Sequence, residues 1–271
     1  MASRFLVAGV GIPLLLILFL FCPTICIAIV LGLLLAIAGY ELLGATGYVK
    51  QRVMITASCV LAFLVPFWFY FGASLPAAMG GALVFVMVLF AVAFTSKEAV
   101  SLGQMGACVM AGAVVPAMLS SLLMLSDMLP HNIYTMLPFF AAFGSDAFAL
   151  FGGKFFGKHK LAPVLSPNKT VEGSVSGVLG AAGVCVVYAI VVQLAVGLQV
   201  SYAAMIVYGL IASAVSQFGD LAFSYIKRKA SIKDYGHLFL SHGGVLDRFD
   251  SVIFCAPFTV AFIQLLPLFH L

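Results

Sequence analysis

Charge is what this sequence has least of. Of its 271 residues only 8% are Asp, Glu, Lys or Arg, made up of 13 cations and nine acids, while 64% are hydrophobic and the mean hydropathy is +1.21. An ordinary soluble domain carries about 25% charged residues. A set this small cannot coat a globule of this length. The same shortage excludes a disordered chain and a coiled coil, which need far more charge or a fixed heptad repeat. Paired cysteines are missing as well: Cys22, Cys26, Cys59, Cys108, Cys185 and Cys255 stand singly in apolar runs with no C-x-x-C pair. They read as small membrane-core residues, and a disulfide-stapled secreted module is excluded. The composition describes a chain dissolved in lipid.

A bilayer core about 30 Å thick needs about 20 apolar residues of helix, and runs of that size recur between short breaks. Nine are expected, near 5–22, 25–43, 53–73, 75–95, 103–126, 133–153, 174–197, 201–224 and 251–269. Pro23, Gly44 with Gly47, Ser74 to Pro76 and Pro130 to Asn132 mark breaks. Arg4 followed by the run 5–22 has the outline of a signal peptide. The run is too long for an h-region and lacks a small-x-small cleavage site, so it reads as a retained first span. No repeat of the kind that marks inverted-topology transporters is visible.

The basic residues test this count independently. With nine spans and the N-terminus inside, every Lys and Arg, from Arg4 to Arg248, falls on the inner side, as the positive-inside rule prefers. An error of one span in the middle would put half of them outside. The expected fold is therefore an all-α polytopic membrane protein with about nine spans, N-terminus cytoplasmic and C-terminus outside. It reads as a single membrane domain over 1–271, with N-terminal helices in 1–145 and a chemically equipped part in 146–271. Two inner segments, 154–173 and 225–250, hold nine of the thirteen cations. The outer turns offer only Asp127 and His131, so a catalytic site on that face is not expected.

The first inner segment joins glycine, lysine and hydroxyl residues at a helix boundary: Gly152-Gly153-Lys154, Gly157-Lys158-His159-Lys160, then Ser166-Pro167-Asn168-Lys169-Thr170-Val171-Glu172-Gly173. Backbone N–H groups at glycines approach phosphate closely, and the start of the next helix adds a favourable dipole. For Lys154, Lys158 and Lys160 an orientation anchor explains as much. The combination of Ser166, Lys169, Thr170, Glu172 and Gly173 asks for more than an anchor. Asp146 lies about two turns inside the sixth expected span, where a carboxylate costs about 2.5–3.5 kcal/mol. It is either a structural bond to a neighbouring helix or part of a site.

The second segment is richer. It reads Gln217-Phe218-Gly219-Asp220, Ser224-Tyr225-Ile226-Lys227-Arg228, Lys233-Asp234-Tyr235-Gly236, and Ser241-His242-Gly243-Gly244-Val245-Leu246-Asp247-Arg248-Phe249-Asp250. Asp220, Ser224 and Arg228 fall four apart on one helical face, and Asp247 and Asp250 three apart on the next helix. Carboxylates gathered in low dielectric repel unless a cation sits between them. Oxygen donors without cysteine favour Mg²⁺ or a similar hard ion. Lys227, Arg228, Lys233 and Arg248 complement a polyphosphate carried with that metal. His242, before Gly243-Gly244, marks a turn with exposed amides and a substrate-facing role, a lone structural histidine being the alternative. Lys229 reads as an orientation charge.

From Ser224 to Asp250 the chain resembles the signature of the phosphatidate cytidylyltransferases, also called CDP-diacylglycerol synthases. That signature is S-x-apolar-K-R, four residues, K-D-x-small, two residues, apolar, two residues, H-G-G-apolar-x-D-R-apolar-D. Leu240 departs from it, standing where the family usually has Pro or Gly. The earlier segment is similar to the family at Asp146, Gly157-Lys158, Ser166-Pro167, Lys169-Thr170 and Glu172-Gly173. It departs at Asn168 and Leu150, which costs one cation and one phenol. The likeness covers about 146–251, and the earlier spans match only as generic membrane helices.

The resemblance implies a bacterial inner-membrane enzyme making CDP-diacylglycerol and pyrophosphate from CTP and phosphatidate, with its active site on the cytoplasmic side. It implies Mg²⁺, with room for a second cation, on Asp220, Asp247 and Asp250. Asp220, Asp247, Lys233 and Arg248 would be catalytic. Asp146, Ser166, Lys169, Thr170, Glu172, Ser224, Lys227, Arg228, His242, Gly243 and Gly244 would hold substrate. Membrane lipid is an expected partner and nucleic acid is not; a homodimer is compatible, although no stripe identifies an interface. Two other classes stay open: a CTP-dependent lipid or polyprenol kinase, separated by its products, and a secondary transporter, which would keep its charges near the midplane. A CDP-alcohol phosphotransferase lacks its spaced Asp-Gly and Asp motif here.

Overall fold

Long apolar runs become helices in lipid because backbone N–H and C=O groups find no water there and must bond within their own segment. The computed structural model describes residues 17–19, 21–126, 128–129, 132–236 and 243–270. Its helices are α1 (Thr24–Tyr40), α2 (Arg52–Tyr70), α3 (Leu75–Thr95), α4 (Leu102–Val109), α5 (Val115–Ser126), α6 (Ile133–Phe156), α7 (Val171–Val196), α8 (Tyr202–Lys229) and α9 (Leu246–Leu265). One π-helical turn, Glu41–Ala45, continues α1, and another, Met110–Val114, joins α4 to α5.

Among the described residues seven helical stretches are long and apolar enough to cross a membrane: Thr24–Ala45, Arg52–Tyr70, Leu75–Thr95, Leu102–Ser126, Ile133–Phe156, Val171–Val196 and Tyr202–Lys229. These correspond to the second through eighth of the nine expected spans. Most of the first, 5–22, lies outside the described residues, as do Arg4, Asp127, His131, Leu240, Ser241 and His242. The ninth corresponds to α9, which is not among the seven. Its N-terminal end carries Asp247, Arg248 and Asp250, ahead of the apolar run that begins at Ser251.

The described residues are mostly helical, as the all-α expectation has it, and carry two small ribbons besides. β1 (Lys160–Ala162) pairs antiparallel with β2 (Ser166–Thr170), and β3 (Gln199–Val200) with β4 (Phe269–His270). The two inner segments are shorter than expected, because α6 runs on to Phe156, α7 starts at Val171 and α8 continues to Lys229.

The chain divides into two compact units, Met1–Met124 with Lys229–Arg248, and Leu125–Arg228 with Phe249–Leu271. In the first, small residues let backbones approach, as is usual between membrane helices: a Cβ on Gly32 would stand 2.8 Å from the Phe63 carbonyl oxygen, and one on Gly112 3.1 Å from Ser58 Cα. In the second, α6 and α7 pack closely together. Gly177 of α7 faces the carbonyl oxygen of Ser145, and Gly209 of α8 faces Ala182 Cα.

A polar knot lies between α6, α7 and α8. The Ser213 hydroxyl donates to Ser145 Oγ (2.8 Å), and Gln217 Nε2 donates to Ser145 Oγ (3.0 Å) and to the Ser174 carbonyl (3.1 Å). Ser174 Oγ donates back to Gln217 Oε1. These groups satisfy one another where water is absent.

Candidate active site

In the second unit the site begins where α6 ends. A Cβ at position 157 would stand 2.2 Å from the Gly153 carbonyl oxygen, so only glycine lets the chain leave the helix there and turn into the β1–β2 hairpin. The hairpin returns directly into α7. Thr170 caps that helix by accepting the Gly173 N–H (3.1 Å). Glu172, in the first turn of α7, accepts the N–H groups of Lys158 (3.0 Å) and His159 (3.2 Å) and meets His159 Nδ1 at 2.6 Å. Its carboxylate therefore holds the two ends of the hairpin together.

From β2, Lys169 reaches α8 and donates to the Asp220 carboxylate. One turn along, the Ser224 hydroxyl donates to Asp220 Oδ1 (3.3 Å). One further turn brings Arg228, whose Nε donates to the Leu165 carbonyl in the hairpin turn (3.2 Å). The face Asp220, Ser224, Arg228 is thus laid against the hairpin by a residue at each end. Lys227, beside this face, is buried, while Asp146 on α6 is exposed. Ser166 is half-buried on β2.

Asp250, at the start of the second turn of α9 and outside the seven candidate spans, is buried at 9% exposure. The Ser251 N–H donates to its Oδ1 (2.7 Å). Gly219 makes room for this turn: a Cβ there would stand 2.8 Å from the Asp250 carbonyl oxygen. Burial first, and then the Asp220 carboxylate, push the Asp250 carboxyl well above the ordinary carboxylate range, with Lys227 opposing the shift and Asp146 adding to it.

A cation between such carboxylates would relieve their repulsion. Among the described residues no three or more His, Cys, Asp or Glu groups form a metal-holding cluster. The donor set nonetheless fits Mg²⁺, which characteristically takes one or two carboxylates and draws its other ligands from water and substrate phosphates.

In the first unit the other half of the sequence signature forms a separate clamp. Asp247 Oδ2 accepts the N–H groups of Tyr235 (2.8 Å) and Gly244 (3.0 Å). Gly243 adopts φ +81°, and a Cβ there would stand 2.6 Å from Asp247 Oδ2. Arg248 and Lys233 are exposed. The Gly244 amide, expected to face substrate, is committed to Asp247. The predicted substrate-facing His242 lies outside the described residues.

Two features escaped the sequence reading. Glu41 is buried at 4% exposure, and it accepts the Val245 N–H (2.9 Å) and the Leu246 N–H (3.0 Å). The signal that could have found it is the one that singled out Asp146, a carboxylate inside an apolar run. The Gln217 knot had no such signal, since Ser and Gln are unremarkable singly.

Comparison with known proteins adds an independent line. The model of the Cytidylyltransferase family matches residues 2–266. A phosphatidate cytidylyltransferase of Rickettsia felis is 41% identical over 148 residues, covering 53% of this chain and 64% of that protein. One of Bacillus subtilis is 43% identical over 114 residues, 42% of this chain and 41% of that protein. One of Staphylococcus epidermidis is 38% identical over 124 residues, 46% of each. The matched part of the chain spans less than two thirds of the length of each of these relatives.

Proposed function

The chain belongs to the Cytidylyltransferase family, and from that premise we propose that it transfers the cytidylyl group of CTP to phosphatidate, giving CDP-diacylglycerol and pyrophosphate. The observation that carries the reading is the convergence of Lys169, Ser224 and Arg228 with Asp220, beside buried Lys227 and Asp250. Cations and acids interleaved in this way suit a polyphosphate that arrives with a metal ion. The relatives, phosphatidate cytidylyltransferases by name, point to the lipid acceptor.

In this reading a phosphatidate oxygen attacks the α-phosphorus of CTP in line. A new P–O bond forms, the bond to the β-phosphate breaks, and pyrophosphate leaves with the electron pair. The attacking phosphate is already ionised near neutral pH, so no general base is required. What the chain must supply is alignment of two polyanions and relief of their repulsion. In the second unit Lys169, Lys227 and Arg228 do this for phosphate oxygens; the family resemblance assigns Lys233 and Arg248 to the charge of the departing group. In the second unit Asp220 and Asp250 would hold Mg²⁺, and the family resemblance assigns Asp247 to the same ion. When bound, the ion supplies Lewis-acid neutralisation of phosphate oxygens. Ser166, Thr170, Gly243 and His242 contact substrate, Gly244 serves through its bond to Asp247, Glu172 shapes the hairpin, and Asp146 lies at the margin of the site.

The lipid's acyl chains have a fitting surface in the second unit: an apolar groove of about 830 Å³ between α6 and α7, lined by Phe140, Phe148, Leu179, Val184 and Tyr188. Gly180 and Gly183 on α7 also line it. The distribution of Lys and Arg supports an active site on the cytoplasmic side, with the N-terminus inside and the C-terminus outside. The bacterial relatives support an inner-membrane location. A homodimer is compatible with this reading.

The test is to incubate purified protein in detergent with labelled CTP, phosphatidate and Mg²⁺. A lipid-soluble cytidine product with one pyrophosphate per turnover supports the proposal. CDP and a phosphorylated lipid would make the chain a kinase.

A further inference from the structure

Glu41 stands out from every other acid of the first unit. It comes from the end of α1, about two hundred residues before the groups it binds, and its carboxylate is buried. A buried carboxylate is costly unless hydrogen-bonded. Here Oε1 takes the Val245 N–H and Oε2 the Leu246 N–H, at the N-terminus of α9 where the helix dipole favours negative charge. The chain thickens to a π-helical turn at Glu41–Ala45, a distortion that recurs at functional positions.

The surroundings are cut to this carboxylate. A Cβ on Gly244 would stand 2.2 Å from Glu41 Oε1, and one on Gly236 2.6 Å from the same atom. Glu41 therefore touches both arms of the 229–248 segment. The adjoining amides are held by the second acid, since Asp247 accepts Gly244 N–H and Tyr235 N–H. Three successive amides, 244 to 246, are thereby divided between two carboxylates, one of which the proposed reaction requires.

We propose that Glu41 is a positioning residue for the reaction: its carboxylate locks the first turn of α9 to the 235–236 arm and so sets the orientation of Asp247 and Arg248. This rests on the functional reading above for what Asp247 does, though not for the lock itself. Glu41 touches the backbone that carries Asp247 and need not touch substrate.

The test uses the full chain in detergent, comparing wild type with Glu41→Gln and Glu41→Ala by two readouts. In the absence of nucleotide and lipid, hydrogen exchange of amides 244–247 is expected to quicken in Glu41→Gln and more so in Glu41→Ala, with α7 amides unchanged. The Mg²⁺ concentration for half-maximal cytidylyl transfer is expected to rise about tenfold, the usual scale when a group orienting a metal-binding side chain is removed. A merely structural role would reduce the folded fraction without moving that concentration. Wild-type exchange in a well-folded Glu41→Gln protein, or turnover that falls only with folded fraction at unchanged Mg²⁺ dependence, overturns the proposal. If Glu41→Gln does not yield folded protein, Gly236→Ala displaces the same carboxylate and carries the same expectations. If wild type makes no cytidine lipid, the functional reading fails while the exchange comparison still decides the lock.

Discussion

Lys169, on the returning strand of the hairpin, donates to the carboxylate of Asp220, 51 residues further along on α8. The pair is partly exposed, at 27% and 22% of the two side chains. Its contribution to folding is accordingly modest, about 1 kcal/mol or less, and its interest is chemical. Asp220→Asn is expected to lower cytidylyl transfer at least about a hundredfold while the protein still inserts and elutes normally. Lys169→Met is expected to raise the KM for CTP about tenfold, the scale of one charge-assisted hydrogen bond. Steady-state kinetics checks both, and near-normal activity in Asp220→Asn would remove the metal role assigned to it.

Removing divalent cations should silence the enzyme. Turnover is expected to vanish in EDTA and return with Mg²⁺, and to return poorly in Asp250→Asn and Asp247→Asn. Activity that survives chelation in full would mean that the acids serve something other than a metal.

The elevated proton affinity of Asp250 has a consequence for stability. Because its folded-state value lies above that of an unfolded Asp, the stability it lends is complete in acid. That stability is lost as pH rises from the ordinary carboxylate range through the raised one. The thermal midpoint of cation-free protein should fall across that window, and the fall should flatten in Asp250→Asn. A midpoint that rises with pH in wild type would contradict the burial argument.

Small residues between the helices of the second unit allow a paired comparison. A Cβ on Gly209 would stand 2.6 Å from Ala182 Cα, whereas one on Gly183 meets nothing within 4 Å. Gly209→Val should destabilise by about 1–3 kcal/mol through overpacking, and Gly183→Ala should be neutral. Thermal unfolding in detergent distinguishes them.

Gln217 joins α8 to both α6 and α7 through Ser145 and Ser174. Gln217→Leu should cost about 1 kcal/mol, in the range of interhelical hydrogen bonds in membranes. A stability unchanged within error would show that the knot is replaceable by packing.

Much was legible without coordinates, because hydropathy and charge are properties of the chain read in order. Seven apolar stretches, the gathering of cations in two segments and the helical face Asp220, Ser224, Arg228 all follow from spacing alone. The ninth expected span, 251–269, overlaps α9, whose start at Leu246 brings Asp247, Arg248 and Asp250 into the same helix, a boundary that hydropathy does not mark. The direct bonding of Lys169 to Asp220, the commitment of Glu172 and Asp247 to backbone amides of their own loops, and the locking of α9 by Glu41 belong to the tertiary structure. Apart from the Gly244–Asp247 bond, each joins residues separated by a dozen to two hundred positions. A hydrogen bond is decided by ångströms in space, and no periodicity along the chain encodes a meeting of that kind.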